Sequence, residues 1–390
     1  MVLGQQKNKV SSQNKIENID QQRAWIEIDL KALAHNVREI KTLLAPETSL
    51  MAVVKADAYG HGVETVAKTV LQNGADWLAV ATVIEGIELR KAGINCKILV
   101  LGAINSPAEI IEVTKWQLQP TICNFQQALV FSDTLAQVKT TLPVHINLDT
   151  GMSRLGTNWQ KALEFVKLVY QLPYLEVSSV YSHLATADDR DPTIMLLQKQ
   201  RFDLAIAQIK SHNIIPPCLH LANSAAVLTD KSFHYDMVRV GLALYGLYPS
   251  PHLKSKADLK PVLQVKAKVT QVKTIPPNAG VSYGHKYISD RKIIIAVVGI
   301  GYADGVVRNL SNKLRVIIRG QLVSQIGSIT MDQLMLDVTD IPDLQPGEIV
   351  TLLGKDGDEA ITADDWANIL DTISWEILCG FKHRLPRIIK

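Results

Sequence analysis

Residues 50–72 read LMAVVKADAYGHGVETVAKTVLQ. An apolar run of strand length, 50–54, is followed by a longer amphipathic stretch, 63–72. The same alternation recurs along the chain. Strand candidates fall at 50–54, 77–81, 98–101, 119–122, 144–148, 177–182, 218–221 and 237–240, eight in all. Helix-like segments such as 63–72, 106–115, 160–170 and 192–211 lie between them. Ser106 and Pro107 read as an N-cap followed by proline at the first helical position. Eight strands alternating with helices predict a (β/α)8 barrel of the TIM type. A doubly wound open sheet is the alternative, but no G-x-G-x-x-G follows the first strand.

After Pro251 the texture changes. Segments 262–274, 292–298, 314–319, 321–326, 334–338 and 349–353 read as strands punctuated by Gly and Pro, and helix-period patterns are few. The expected division is a disordered polar tail over 1–23, a barrel over 24–250 and a mostly β domain over 251–390. The strand at 25–29 precedes the first barrel helix and could join the β domain. The 390 residues carry a net charge of only +3, so bulk electrostatics points to neither nucleic acid nor an anionic membrane. No apolar run reaches membrane-spanning length, and 1–22 lack the apolar core of a signal peptide. Cys96, Cys123, Cys218 and Cys379 are scattered, without a C-x-x-C pair or clustered histidines. That argues against a zinc site and a disulfide framework and makes a reducing cytoplasm the expected compartment.

Lys55 ends the first apolar strand. The C-terminal ends of barrel strands face the active site. Burial there favours a neutral amine, which can attack an aldehyde to form a Schiff base. From position alone, a lysine that ends a strand and snorkels to solvent is the competing reading.

The segment Ala52-Val53-Val54-Lys55-Ala56-Asp57-Ala58-Tyr59-Gly60-His61-Gly62 resembles the cofactor-attachment signature of the alanine racemases, the pyridoxal-phosphate enzymes of fold type III. The resemblance extends from about Trp25 onward, and its further motifs occur in order. They are DTGMSRLG at 149–156, SHLATAD at 182–188, HLANSAA at 220–226, VRVGLALYG at 238–246, VSYG at 281–284, GYADG at 301–305 and MDQ at 331–333. It implies that Lys55 binds pyridoxal 5′-phosphate and that L- and D-alanine are interconverted, supplying D-alanine for peptidoglycan.

Racemisation removes the Cα proton from one face and returns it to the other, which two bases on opposite faces do most directly. The resemblance implies Lys55 for the D-enantiomer and Tyr283 for the L-enantiomer, Tyr283 coming from the second subunit of a homodimer. It implies a hydrogen-bonded chain Tyr283–His183–Arg239, with His220 holding Arg239. Arg239 would face the pyridine nitrogen; a guanidinium is a poor proton donor, so the ring stays a weak electron sink and transamination is suppressed. Tyr59, Asn223, Ser224, Gly241 and Leu242 match phosphate contacts, Arg154 the arginine that meets the phenolic oxygen and orients the substrate carboxylate, and Met331 a substrate contact. Asp332 shapes the same loop, and Tyr302 and Arg308 match positions lining a narrow entrance channel.

The chain also departs from the family pattern. Asn147 stands where some members carry a carbamylated lysine that braces the active-site arginine, so an anion beside Asn147 is the expectation. Ser328 stands where arginine is frequent, Trp375 where tyrosine is common, and His383 where many members have a tyrosine. These departures are expected around the entrance, away from the two bases. Three other readings stay open at this point. One is a broader racemase acting on serine and other small amino acids. Another is a decarboxylase of the same architecture, which usually pairs the pyridine nitrogen with a carboxylate. The third is a non-catalytic cofactor carrier, which would need only the barrel.

Overall fold

The computed structural model describes residues 21–390. The expected tail lies largely outside the described residues. The chain opens on β1 (Ala24–Ile28). Eight parallel strands follow, each feeding a helical segment: β2 (Ser49–Val53), β3 (Trp77–Val80), β4 (Lys97–Ala103), β5 (Gln119–Ile122), β6 (Leu142–Asp149), β8 (Leu175–Tyr181), β9 (Leu219–His220) and β10 (Met237–Val240). A two-residue strand, β7 (Thr157–Asn158), pairs alongside β6. The neighbour order β5-β4-β3-β2-β10-β9-β8-β6 returns to β5 through the β5–β6 pairing, so the ring is closed. All eight expected strands are staves of this barrel. The ring is buried on both faces, which is why its strands read as continuous apolar runs rather than alternating ones. Leu50, Val100, Ile146, Val180 and Val238 have no exposed surface.

The remaining strands are β11 (Leu263–Ile275), β12 (Ile293–Val298), β13 (Arg315–Ile318), β14 (Gln321–Ser324), β15 (Leu334–Asp337), β16 (Ile349–Asp356), β17 (Glu359–Ile361) and β18 (Arg387–Ile389). They form a second sheet ordered β14-β13-β16-β11-β1-β18, with β12 and β15 branching from β11. The opening strand β1 therefore belongs to this sheet.

Two compact units result, and neither is a continuous piece of chain. One comprises residues 28–264, 360–382 and 389–390. The other comprises 265–359 and 383–388, together with the described residues up to Glu27. The sequence division at 250/251 is contiguous and differs from this. The helices Ala363–Leu370 and Ser374–Gly380 group with the barrel. Gly60 explains the second of them: a Cβ there would lie 2.6 Å from the Leu378 carbonyl oxygen, so the helix seats directly on the loop after β2. Ser106 is the N-cap and Pro107 opens the helix Pro107–Lys115, as expected, although the Ser106 side chain makes no cap bond. Among the described residues no helix is long and apolar enough to cross a membrane.

Candidate active site

The segment after β2 is unusual in its backbone. Ala56, Asp57, Ala58 and Tyr59 all have φ between 53° and 55°, one left-handed turn without a glycine. Such a conformation costs L-residues about 1–2 kcal/mol each, so it must be held. Glu85 holds one end: its carboxylate accepts from Ala56 N at 2.7 Å, Ala81 N at 2.7 Å and Thr82 N at 3.1 Å. Asp57 holds the other by accepting from Val63 N at 2.7 Å, capping the helix Val63–Gln72. The buried His61 ring lies on Tyr245, whose hydroxyl donates to Val53 O at 3.0 Å. The turn aims Lys55 into a cavity of about 450 Å³ at the C-terminal ends of the staves. Burial, and then the Arg154 guanidinium, push the Lys55 amine below its ordinary pKa.

Lys55, Tyr59, Arg154, His183, Asn223, Ser224, Arg239, Gly241 and Leu242 all line that one cavity. Asn147, nearly buried, lines it as well. Arg239 is buried at its floor. Its Nη1 donates to His220 Nδ1 at 2.7 Å, and its Nη2 to Ser182 O at 2.7 Å, Leu221 O at 3.2 Å and His183 Nδ1 at 3.2 Å. Burial pulls its pKa down to about 10, leaving it charged at neutral pH. Among the described residues no carboxylate pairs with it. His183 is pulled down to about 3 by burial and then by Arg239, Arg154 and Lys55, so it is neutral.

The wall after β9 and β10 is a backbone cradle. Ser224 Oγ accepts from Gly241 N at 3.0 Å and Ala243 N at 3.4 Å. Asn223 caps the short helix Ser224–Thr229 by accepting from Ala226 N at 3.1 Å. A Cβ on Gly241 would sit 2.5 Å from the Tyr59 hydroxyl, so only glycine lets this strand end approach Tyr59.

Tyr283, Tyr302, Arg308, Met331 and Asp332 belong to the other unit, where loops gather them. Tyr283 stands 72 % exposed on the turn Tyr283–His285. Tyr302 N donates to Thr330 O and Ala303 N to Met331 O, each at 3.0 Å. Gly301 permits this, since a Cβ would lie 2.5 Å from the Met331 oxygen. Asp332 pairs with Arg384 at 2.7 Å, beside the exposed His383. The Arg308 carbonyl accepts from Ser311 Oγ, which in turn accepts from Ile329 N at 2.9 Å. Ser328 needs correcting. Rather than lying at an entrance away from Tyr283, it is buried under the Tyr283 turn: its hydroxyl donates to Tyr283 O at 2.8 Å while Ser282 Oγ donates to Ser328 O at 2.7 Å. The two serines are 46 residues apart, and only the sheet brings them together.

Residues 28–249 match the model of the alanine racemase N-terminal domain and residues 262–389 that of its C-terminal domain. The chain belongs to the alanine racemase family. The alanine racemases of Nostoc sp. and Synechocystis sp. are 65 % and 62 % identical to it, each over 94 % of this chain and over 96 % and 99 % of their own lengths. The solved structure of alanine racemase from Bacillus anthracis, with bound L-Ala-P, is 36 % identical, with a TM-score of 0.89 and 95 % of each chain covered. That of Clostridium difficile 630 gives a TM-score of 0.90 at 33 % identity, over 95 % of this chain and 96 % of that one. The racemase is thus an isomerase that interconverts L- and D-alanine, on a barrel followed by a mostly β domain, in a family that depends on pyridoxal phosphate. Sequence reading overlooked Glu85, Tyr181, Ser179, His145 and Gln119, none of which lies in a motif; an acidic residue three places after Thr82, the signature of a capping box, was the one local signal, for Glu85.

Proposed function

We propose that the racemase holds pyridoxal 5′-phosphate through Lys55 and moves the Cα proton of alanine between Lys55 and Tyr283. One observation carries this reading: a lysine with a depressed pKa, a buried arginine without a carboxylate and a glycine-permitted hydroxyl cradle line the same cavity. The residues fit the cofactor. A neutral amine is what an aldehyde requires, and Tyr59, Ser224 and the Gly241–Leu242 backbone offer donors to a phosphate. The bound cofactor acidifies the substrate Cα–H bond. Arg154 receives the substrate carboxylate with its planar fork. Arg239 donates hydrogen bonds but keeps its proton, so beside a bound cofactor it would leave the ring nitrogen unprotonated and favour return of the proton to Cα. His183, accepting from Arg239 at Nδ1, carries its own proton on Nε2 and can donate it toward the Tyr283 oxygen. Met331 and Asp332 shape the substrate side of the site, Tyr302 and Arg308 its entrance.

Tyr283 would come from a second copy of the chain in a homodimer; its exposure in the single chain supports this. The four free cysteines support a reducing cytoplasm, where the D-alanine made would serve peptidoglycan. The purified protein should show a visible absorbance band that borohydride removes, absent in Lys55→Ala, together with chiral interconversion of alanine. Racemisation without a borohydride-sensitive band would overturn the Lys55 assignment.

A further inference from the structure

Five polar side chains run from stave to stave inside the barrel. They are Gln119 on β5, His145 on β6, Ser179 on β8, His220 on β9 and Arg239 on β10, which are consecutive neighbours in the ring. His145, Ser179 and His220 have no exposed surface. Each touches the next. Gln119 Oε1 lies 2.8 Å from His145 Nε2, His145 Nδ1 2.6 Å from Ser179 Oγ, Ser179 Oγ 2.8 Å from His220 Nε2, and His220 Nδ1 2.7 Å from Arg239 Nη1. Barrel interiors are ordinarily filled by branched apolar side chains, so an unbroken polar row calls for a reason.

The hydrogens in this row have one arrangement. Arginine only donates, so His220 Nδ1 accepts and the imidazole proton sits on Nε2. That N–H donates to Ser179 Oγ. The serine hydroxyl has a single hydrogen and gives it to His145 Nδ1. His145 then carries its proton on Nε2 and donates to the Gln119 amide oxygen. Both imidazoles are neutral, and burial keeps them so: His145 is pulled down to about 3 and His220 well below its ordinary value. Reversing the His145 tautomer would reverse every bond in the row and turn a His220 N–H against the Arg239 N–H. Tyr181 closes the row from one side. Its ring stacks on His220 at 4.7 Å and 7°, and the Arg239 guanidinium carbon lies 5.0 Å over the same ring. Its hydroxyl is used by Thr121 Oγ1 at 2.9 Å, because the Thr121 hydrogen goes to Val100 O.

We propose that Gln119, His145 and Ser179 are positioning residues: acting as a one-way relay, they set the tautomer of His220 and through it hold the Arg239 guanidinium in place. The proposal deepens the reading above, because it rests on Arg239 facing the cofactor ring. With the relay broken, Arg239 is no longer fixed and the reaction leaks. The leak is transamination, in which the amino group of alanine passes to the cofactor aldehyde and pyruvate leaves, with no external oxidant.

The test uses the full-length holoenzyme with 15N-labelled histidine. In the wild type, ring 15N spectra should show His145 and His220 neutral and protonated on Nε2 at neutral pH. Ser179→Ala should mix the tautomers and raise pyruvate formed per racemisation roughly tenfold, the scale of one lost buried hydrogen bond. Ser179→Thr, which keeps the hydroxyl, should return the ratio to within about twofold of wild type. If Ser179→Ala does not fold, Gln119→Met, at the far end of the row, reads the same two quantities. An Nδ1 proton or a charged ring on either histidine in the wild type overturns the proposal. So does a Ser179→Ala enzyme that melts earlier but keeps its product ratio, since that is a merely structural role. A wild-type protein lacking the borohydride-sensitive band would sink the cofactor reading instead, while the tautomers still decide the relay.

Discussion

At Lys55, burial and the Arg154 charge act in the same direction, and both favour the neutral amine. Cofactor uptake by the stripped chain should therefore rise with pH to a midpoint below the ~10.4 of a free lysine. In Arg154→Gln the midpoint should move upward; measuring uptake from visible absorbance against pH checks this, and an unmoved midpoint removes Arg154 from the account. Ser328 is the second residue whose role is local. Its hydroxyl satisfies the Tyr283 carbonyl. Ser328→Ala should slow solvent exchange of the Cα proton from L-alanine by roughly fivefold, the scale of one hydrogen bond, and that from D-alanine less. Deuterium incorporation into each enantiomer reads the difference, and equal slowing would count against Tyr283 as the L-face base.

The left-handed turn at 56–59 is the element that sets the site, and it is strained. Ala56 is exposed there, so Ala56→Gly removes strain without emptying a buried space. The variant should gain up to about 1 kcal/mol. By calorimetry this should appear as a thermal midpoint raised by about 2 °C, and kcat should fall because Lys55 is less firmly aimed. A lowered midpoint would mean the turn stores no strain at Ala56. The signature around Lys55 was legible in the sequence, yet the work of its members was not. Asp57 and His61 shape the turn, and Glu85, 30 residues after Lys55, clamps it. A clamp built from the helix after a neighbouring stave leaves no pattern around Lys55 itself.

For the whole molecule, the buried histidines give stability a pH dependence of definite sign. His145 titrates near about 3 when folded and near ~6.5 when unfolded. Between those values the unfolded chain binds the extra proton, so unfolding free energy is highest above pH ~6.5 and falls as the pH drops through this window, by up to about 1.4 kcal/mol per pH unit for each such histidine. Chemical denaturation at several pH values should show this slope, and His145→Gln should flatten it by one proton's worth. At the level of the assembly, mixing Lys55→Ala with Tyr283→Phe protein should restore activity through hybrid dimers that carry one intact site. No recovery after subunit exchange would exclude a site shared between copies. By itself the sequence determined the eight staves, because parallel strands buried on both sides leave uninterrupted apolar runs. It also marked Lys55, Arg154, Arg239 and Tyr283, because each sits in a dense motif. What the tertiary structure decided was which polar groups meet. The Gln119–Arg239 row takes one residue from each of five staves, Ser328 reaches Tyr283 across 45 residues, and the helices at 363–380 join the barrel rather than the sheet. Hydrogen bonds between strands depend on register and ring closure, and neither is written in any local stretch of chain.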